Sequence, residues 1–227
     1  MTMPKQDTNT MQALHGLQNS SSSVRLQAAL TVGTTPDPRF IDRIIERCAL
    51  EPDFYVRDML TWALTRHASS MTVPKLIDEL RSERAQARSQ ALHTLSKIGD
   101  RRAWPAITRA LLTEADHEVA RNAWRAAVVL VPEGEECALA RVLATQFGRG
   151  ERETQLSLSQ ALIALGEVIM PALRSATTGP DPRVRQHAIA TERLLLSPDA
   201  GFEFAIDEAK RIVAVGTTQP GGMIGRC

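Results

Sequence analysis

The chain has 227 residues, of which 43% are hydrophobic, 23% charged and only 4% aromatic, and its 27 basic side chains nearly balance 26 acidic ones. This composition is that of an ordinary globular protein, and the balanced charge argues against a protein whose whole surface binds nucleic acid. The longest uninterrupted apolar run, residues 126–131, is far shorter than the ~20 residues of a membrane-spanning helix, so we expect no membrane insertion.

Two further features bear on the cellular compartment. Residues 1–23 contain no apolar segment of the kind that secretory signals require. The cysteines, Cys48, Cys137 and Cys227, are odd in number and far apart, which is typical of a reducing compartment rather than of a disulfide framework. We therefore expect a cytoplasmic protein, and we predict that its polar end, residues 216–227, is a disordered tail.

Six similar segments recur along the chain at intervals of 32, 31, 32, 35 and 30 residues. They begin at Val24, Val56, Ala87, Val119, Thr154 and Val184. Each segment spaces its apolar residues as a helix does, and a second helical pattern lies between the segments. This other pattern has a proline near each of four predicted starts, where a missing N–H group costs little: Pro38, Pro74, Pro105 and Pro171.

Capping residues delimit the six recurring segments. Asp53, Asp116 and Asp181 each stand three residues before a segment start, where a carboxylate accepts hydrogen bonds from the first N–H groups of a helix. Gly99 and Gly166 are placed to end helices in the left-handed conformation. The chain is therefore predicted to alternate a first helix and a second helix, the second helices being the six recurring segments.

This periodicity predicts the fold. A pair of helices that repeats every ~32 residues cannot bury its apolar face by itself, whereas stacked pairs bury a continuous core. We predict an all-α protein, a right-handed α-solenoid of about six helical pairs in a single domain, residues 1–215. Residues 200–215 are predicted to form a C-terminal capping helix.

The segment DPRVRQHA, residues 181–188, resembles the D-P-x-V-R-x-x-A pattern of HEAT repeats of the phycocyanobilin-lyase HEAT-like type. Segments such as VRDMLTWALTRH, which begins at Val56, also resemble uncharacterised actinobacterial HEAT-repeat proteins. The resemblance covers residues 14–215. It implies the helical-repeat fold and, because most HEAT families are protein-binding scaffolds with a few enzymes among them, a scaffold or adaptor role.

The second helices of such stacks usually line the concave side. Counting from each segment start as offset zero, offsets two, three and six are predicted to face outward into this groove. The predicted partner-binding residues are Asp58, Met59, Trp62, Gln90, His93, Arg121, Asn122 and Arg125. A tryptophan beside arginine, histidine and amide groups is typical of recognition surfaces. In the alternative interpretation, Trp62 fills space between helices and the polar side chains are merely solvated.

Arginine follows the segment start in four repeats, at Arg25, Arg57, Arg88 and Arg185. A row of arginines would bind an acidic partner, or each would pair with an acid or carbonyl of the neighbouring repeat, and we prefer the second interpretation. Residues 81–109 carry seven basic side chains against two acidic ones. The predicted basic patch, Arg81, Arg84, Arg88, Arg101 and Arg102, would hold phosphate or an acidic peptide, or form a solvated face.

No nucleotide-binding, metalloprotease, hydrolase or Cys-x-x-Cys motif is present. A resemblance to HEAT-repeat di-iron hydroxylases would imply several His-Glu pairs, but only His117-Glu118 occurs. We therefore expect no catalytic residue, metal or cofactor, and a scaffold that binds a protein partner. The alternative is a nucleic-acid-binding protein or repair enzyme resembling HEAT-like alkylpurine DNA glycosylases, for which Trp62, Asp58 and the basic patch supply the residue types.

Overall fold

The computed structural model describes residues 5–197 and 201–216. The regular secondary structure of this part of the chain consists of helices, without a strand. The chain divides into two compact units, residues 1–132 and 133–227. Gly216 is the last residue of the last helix, whereas the rest of the predicted tail, residues 217–227, lies outside the described residues. The single domain expected from the sequence stays a prediction.

Unit 1, residues 1–132, contains four helical pairs. Its helices are α1 (Lys5–Gly16), α2 (Ser22–Thr34), α3 (Ile41–Cys48), α4 (Phe54–Thr65), α5 (Ser69–Glu79), α6 (Ala85–Ile98), α7 (Arg109–Leu112) and α8 (His117–Leu130). Short 3₁₀ turns, Pro38–Phe40 and Arg101–Ala106, precede α3 and α7. The second helices are α2, α4, α6 and α8, and each begins two residues before its predicted segment start.

Unit 2, residues 133–227, contains two further pairs and the predicted capping helix. Its helices are α9 (Glu136–Ala144), α10 (Arg152–Ala164), α11 (Met170–Thr177), α12 (Pro182–Leu196) and α13 (Phe202–Gly216), with a 3₁₀ turn, Gly166–Ile169, before α11. The helical pairing predicted from the repeats is thus confirmed in both units.

One predicted first helix is much shorter than expected. The segment AWPAITRALLTE forms the end of a 3₁₀ turn, Arg101–Ala106, and the four-residue helix α7. Pro105 lacks the N–H group that an α-helix would use and disfavours α geometry at the residue before it. Thr108 then starts α7 afresh, because its hydroxyl accepts a hydrogen bond from Leu111 N at 3.4 Å.

The predicted helix caps are confirmed. Asp53 accepts hydrogen bonds from the N–H groups of Tyr55 and Val56, and Asp116 does the same for the two corresponding N–H groups of α8. Asp181 accepts one, from Arg183 N at 2.8 Å. Gly99 ends α6 with a φ of 70°, a left-handed conformation that favours glycine.

In unit 1 the second helices pack against one another in chain order, α2 on α4, α4 on α6 and α6 on α8, while α3 and α5 form the other layer. The core between the layers contains fully buried leucines and Trp124, whose indole N–H donates to Leu112 O at 2.8 Å. In unit 2, α12 packs on α10, α11 and α13. Phe202 and Ile206 of α13 are buried against Ala190 and Leu194 of α12.

The recurring arginines are structural, but the partners that all four share lie in their own repeat and not in the neighbouring repeat that we expected. Three of them share one geometry: Nη1 donates to two consecutive carbonyl oxygens in the turn before the arginine's own helix, at 2.7–3.1 Å. This holds for Arg57, Arg88 and Arg185. Arg25 does the same with Asn19 O and Ser20 O. Each arginine therefore fixes the turn between the two helices of its own pair.

Two of these arginines also reach the next repeat. Arg25 forms two hydrogen bonds of 2.7 Å with the fully buried carboxylate of Glu51, and Arg88 pairs with Glu114 at 3.3 Å. Both acids stand 26 residues beyond their arginine, so the contact recurs in register. These pairs join adjacent helical repeats in unit 1.

Candidate interaction face

An outward stripe runs across the second helices of unit 1. Because positions four apart lie on the same side of a helix, offsets two, six and ten form one line on each second helix. The members with charged or aromatic side chains lie on α4, α6 and α8 or, in the case of Arg66, directly after α4. We call them the second-helix face: Asp58, Trp62, Arg66, His93, Lys97, Arg121 and Arg125.

On α4 and its C-terminal cap the stripe contains Asp58, Trp62 and the cap residue Arg66, none of which is buried. The Trp62 side chain is 37% exposed, and the opposite side of its ring lies against Gly33 of α2. A Cβ atom at Gly33 would overlap this ring and lie 3.0 Å from the Cα of Ala63. Trp62 therefore fills space between α2 and α4 and also presents an aromatic surface to solvent, which combines both interpretations of its role.

His93 is the centre of the stripe on α6. Burial lowers the pKa of its imidazole, the positive charges of Lys97 and Arg125 lower it further, and Asp58 opposes them. The side chains that influence His93 thus come from α4, α6 and α8 together. His93 is consequently a neutral, half-buried group at neutral pH, surrounded by cations.

Arg121 and Arg125 are the contributions of α8. The Arg121 side chain is only 12% exposed, and its Nη1 donates to Glu118 Oε1 at 3.0 Å. Arg125 is exposed and has no hydrogen-bond or ion-pair partner within the residues that the structure describes. Arg125 is therefore the more available of the two for a ligand.

Three predicted site residues, all at offset three, lie off the stripe and are partly or fully buried. Asn122 is 6% exposed, and its amide donates to Ser89 Oγ at 2.8 Å, so the predicted outward orientation is wrong and Asn122 instead joins α6 to α8. Gln90 lines a gap that also touches Ile45 and Leu76 of the first helices. Met59 is half-buried at the same offset.

Sequence reasoning missed two members of the face, Arg66 and Lys97. Both stand four residues beyond the predicted residues Trp62 and His93, one further turn along the same side of the helix. Extending the helical period to offset ten would have found them. Neither is buried, and neither has an ion-pair partner among the described residues.

The predicted basic patch is not one compact surface. Arg81, Arg84 and Arg88 precede or begin α6, whereas Arg101 and Arg102 follow its C-terminus, and the 14 residues of α6 place ~20 Å between these ends. Arg88 donates to carbonyl oxygens of the turn before α6 and pairs with Glu114. Arg102 pairs with Asp100. The hypothesis of a phosphate-binding patch therefore loses much of its support.

Among the described side chains, which belong to residues 11–197 and 201–214, no group of three or more His, Cys, Asp or Glu is placed to hold a metal ion. No helix of the described residues is long and apolar enough to span a membrane. The Oγ of Ser159 lies 3.1 Å from Nε2 of His187, but both residues are fully buried. This pair is therefore part of the core of unit 2.

A cleft of about 720 Å³ lies between α1, α2 and the turn that follows α2. Its walls include Ala13, Val24, Ala28 and Phe40, and its one charged lining residue, Asp37, is already paired with Arg39. The described lining therefore contains no charged group that remains available to orient a ligand.

The family model described as HEAT repeats matches residues 49–128, a range that includes all seven residues of the second-helix face. No curated protein matches the chain. The all-helical architecture and the matched repeats confirm the predicted α-solenoid class. The match supports a HEAT-repeat protein, while the phycocyanobilin-lyase type and the actinobacterial resemblance stay predictions.

Proposed function

We propose that the chain is a cytosolic, non-enzymatic HEAT-repeat scaffold that binds a protein partner through the second-helix face of unit 1. HEAT repeats commonly mediate protein–protein interaction, and residues 49–128 match them. Cys48 and Cys137 are free thiols, in keeping with a reducing compartment.

One observation carries this proposal. Asp58, Trp62, His93, Lys97 and Arg125 come from three successive second helices, and none of their side chains has a hydrogen-bond or ion-pair partner among the described residues. An exposed indole beside unpaired charges supplies both the apolar anchor and the polar groups that protein interfaces use. The packed second helices thus place these side chains side by side, and their polar atoms remain available to bind a partner.

The test is affinity capture from the native cell lysate, with and without nuclease, followed by mass spectrometry. The full chain is compared with Lys97→Glu/Arg125→Glu, which reverses two unpaired charges on the face. The matched control is Arg81→Glu/Arg84→Glu, which reverses two exposed charges in the turn before α6.

We expect a stoichiometric protein partner that resists nuclease, disappears with the face variant and remains with the control. Circular dichroism must show that both variants keep their helix content. Equal capture by all three proteins would overturn the proposed face. Loss of the partner on nuclease treatment would instead favour the nucleic-acid hypothesis.

A further inference from the structure

The second-helix face has a net positive charge. Arg66, Lys97 and Arg125 are cations without an ion-pair partner among the described residues, whereas Asp58 is the one unpaired acid of the face. Arg121 adds no net charge, because it pairs with Glu118. Arg66 caps the C-terminus of α4, while Lys97 and Arg125 lie on α6 and α8.

Cations on the first helices α3 and α5 are arranged differently. Arg43 pairs with Glu46, and Arg47 pairs with Glu51. Lys75 of α5 reaches Asp42 of α3 at 2.5 Å. Each cation of α3 and α5 thus has an acidic partner, while the second-helix face leaves three of its cations available.

An apolar surface borders these cations. Trp62 is 37% exposed and Leu30 is 40% exposed, and both occupy offset six on the adjacent helices α2 and α4. The Trp62 ring lies on Gly33, one turn along α2 from Leu30, so the two apolar side chains are neighbours. A ligand that covers Leu30 and the second-helix face therefore meets apolar side chains on α2 and α4 and the cations Lys97 and Arg125 on α6 and α8.

We propose that this face binds an acidic peptide segment in which a large apolar residue adjoins two or more carboxylates. The apolar residue would pack on Leu30 and Trp62, and the carboxylates would pair with Lys97 and Arg125, with Arg66 at the border. This partner chemistry rests on the proposed function and goes beyond it, because it follows from charge complementarity on the described residues.

The test uses synthetic fluorescein-labelled peptides and fluorescence anisotropy with the full chain. The probe is a short peptide that contains glutamates around leucine and phenylalanine. Two comparison peptides share its length: one has glutamine in place of glutamate, and the other has glycine in place of leucine and phenylalanine. The third comparison ligand is a single-stranded DNA of equal negative charge. Sedimentation of the chain without ligand shows whether a second copy already covers the face.

We expect the acidic, apolar peptide to bind more tightly than all three comparison ligands, with an affinity that falls as salt is added. Lys97→Glu and Arg125→Glu should each weaken this binding about fivefold to tenfold, whereas Arg81→Glu and Arg84→Glu should change it less than about twofold. Trp62→Ala should weaken it as well, and Trp62→Phe should restore part of the affinity.

Four results would overturn the proposed chemistry: no peptide binding even at low salt, equal weakening by the control substitutions, tighter binding of the DNA, and a self-associated chain whose face is blocked. The first result is distinguishable from failure of the proposed function, because capture of a lysate partner that depends on Lys97 and Arg125 would then persist. In that case the face would still bind a protein, through a different chemistry.

Discussion

The two units differ in the charge of a buried polar centre, which is Glu51 in unit 1 and His187 in unit 2. In unit 1 the buried group is charged: the Glu51 carboxylate accepts hydrogen bonds from Arg25 at 2.7 Å, Arg47 at 2.8 Å and Asp53 N at 3.0 Å. In unit 2 it is neutral: His187 Nδ1 accepts from Gly148 N at 3.0 Å, and its Nε2–H donates to Gln155 O at 2.9 Å. One centre therefore needs a charge and the other excludes one.

This difference has consequences for acid stability. Burial by itself would raise the pKa of Glu51, but the hydrogen bonds from Arg25, Asp53 N and Arg47 outweigh it and hold the pKa at about 2. Burial lowers the pKa of His187 to about 4, against the opposing hydrogen bond to Gln155 O. Unit 2 should therefore lose stability at a higher pH than unit 1.

The units can be followed separately, because Trp62, Trp104 and Trp124 all lie in unit 1. Tryptophan fluorescence thus reports on unit 1. Hydrogen exchange of peptides from α10 and α12, corrected for the intrinsic pH dependence of exchange, reports on unit 2.

The largest expected effect comes from Glu51→Gln, which leaves the Arg25 guanidinium buried without its charge partner. We expect a loss of about 3–5 kcal/mol in the free energy of unfolding of unit 1, measured by urea titration with tryptophan fluorescence. Amide protection in α10 and α12 should change little.

The double variant Arg25→Met/Glu51→Met provides the control, since it removes both charges and restores apolar packing. It should lose less stability than Glu51→Gln. A loss below about 1 kcal/mol for Glu51→Gln would contradict the prediction that the buried Arg25–Glu51 pair determines the free energy of unfolding of unit 1.

The next effect is the response of unit 2 to mild acid. Since the folded pKa of His187 lies below the ordinary value near 6.5, the unfolded chain binds the proton more readily, and stability falls as pH decreases from about 6.5 to about 4. We expect a loss of about 2–3 kcal/mol over this range, seen as faster exchange in α10 and α12.

Substitution of His187 by glutamine should flatten this pH dependence whatever its effect on stability at neutral pH. The Glu51 contribution to unit 1 is complete above the unfolded pKa near 4.5 and is lost only as pH falls towards 2. A simultaneous decline of both probes above pH ~5 would refute the proposed difference between the two centres.

A smaller effect is expected from Gly33→Ala, which tests the contact that fixes Trp62. The new Cβ would overlap the indole ring, so the ring or the helix must shift, at a cost of about 1–3 kcal/mol. Urea unfolding and the emission spectrum of unit 1 should both change. Gly33→Ala/Trp62→Leu is the control, because a smaller side chain at position 62 should recover part of the stability.

The smallest effects concern matched caps in the two units. Asp116→Ala removes two hydrogen bonds to N–H groups of α8 and Asp181→Ala removes one to α12, so each should cost about 1 kcal/mol, with the larger loss at Asp116. Asparagine keeps a cap oxygen and should restore most of the stability at both positions. Equal stability of the alanine and asparagine variants would show that the caps contribute nothing.

Much of the fold was predictable because it depends on local rules. Helical spacing located all six second helices, and short-range hydrogen bonds explain why Asp53, Asp116 and Gly99 mark helix ends. The candidate site was predictable in part: offsets two and six gave Asp58, Trp62, His93, Arg121 and Arg125. The outward orientation predicted for Asn122 at offset three was wrong because its amide reaches Ser89 on the neighbouring helix α6, a contact that helical spacing alone does not reveal.

By itself, the sequence determined the repeat length, the order of helices, their ends and the outward period of each second helix, since all of these follow from contacts within about one turn. Only the tertiary structure decided which polar residues are buried and with what partner. Glu51 carries no sequence signal, because its environment is formed by Arg25, which stands 26 residues away. The partners of Arg88, Trp62 and His187 likewise come from distant segments, which pack together only after folding.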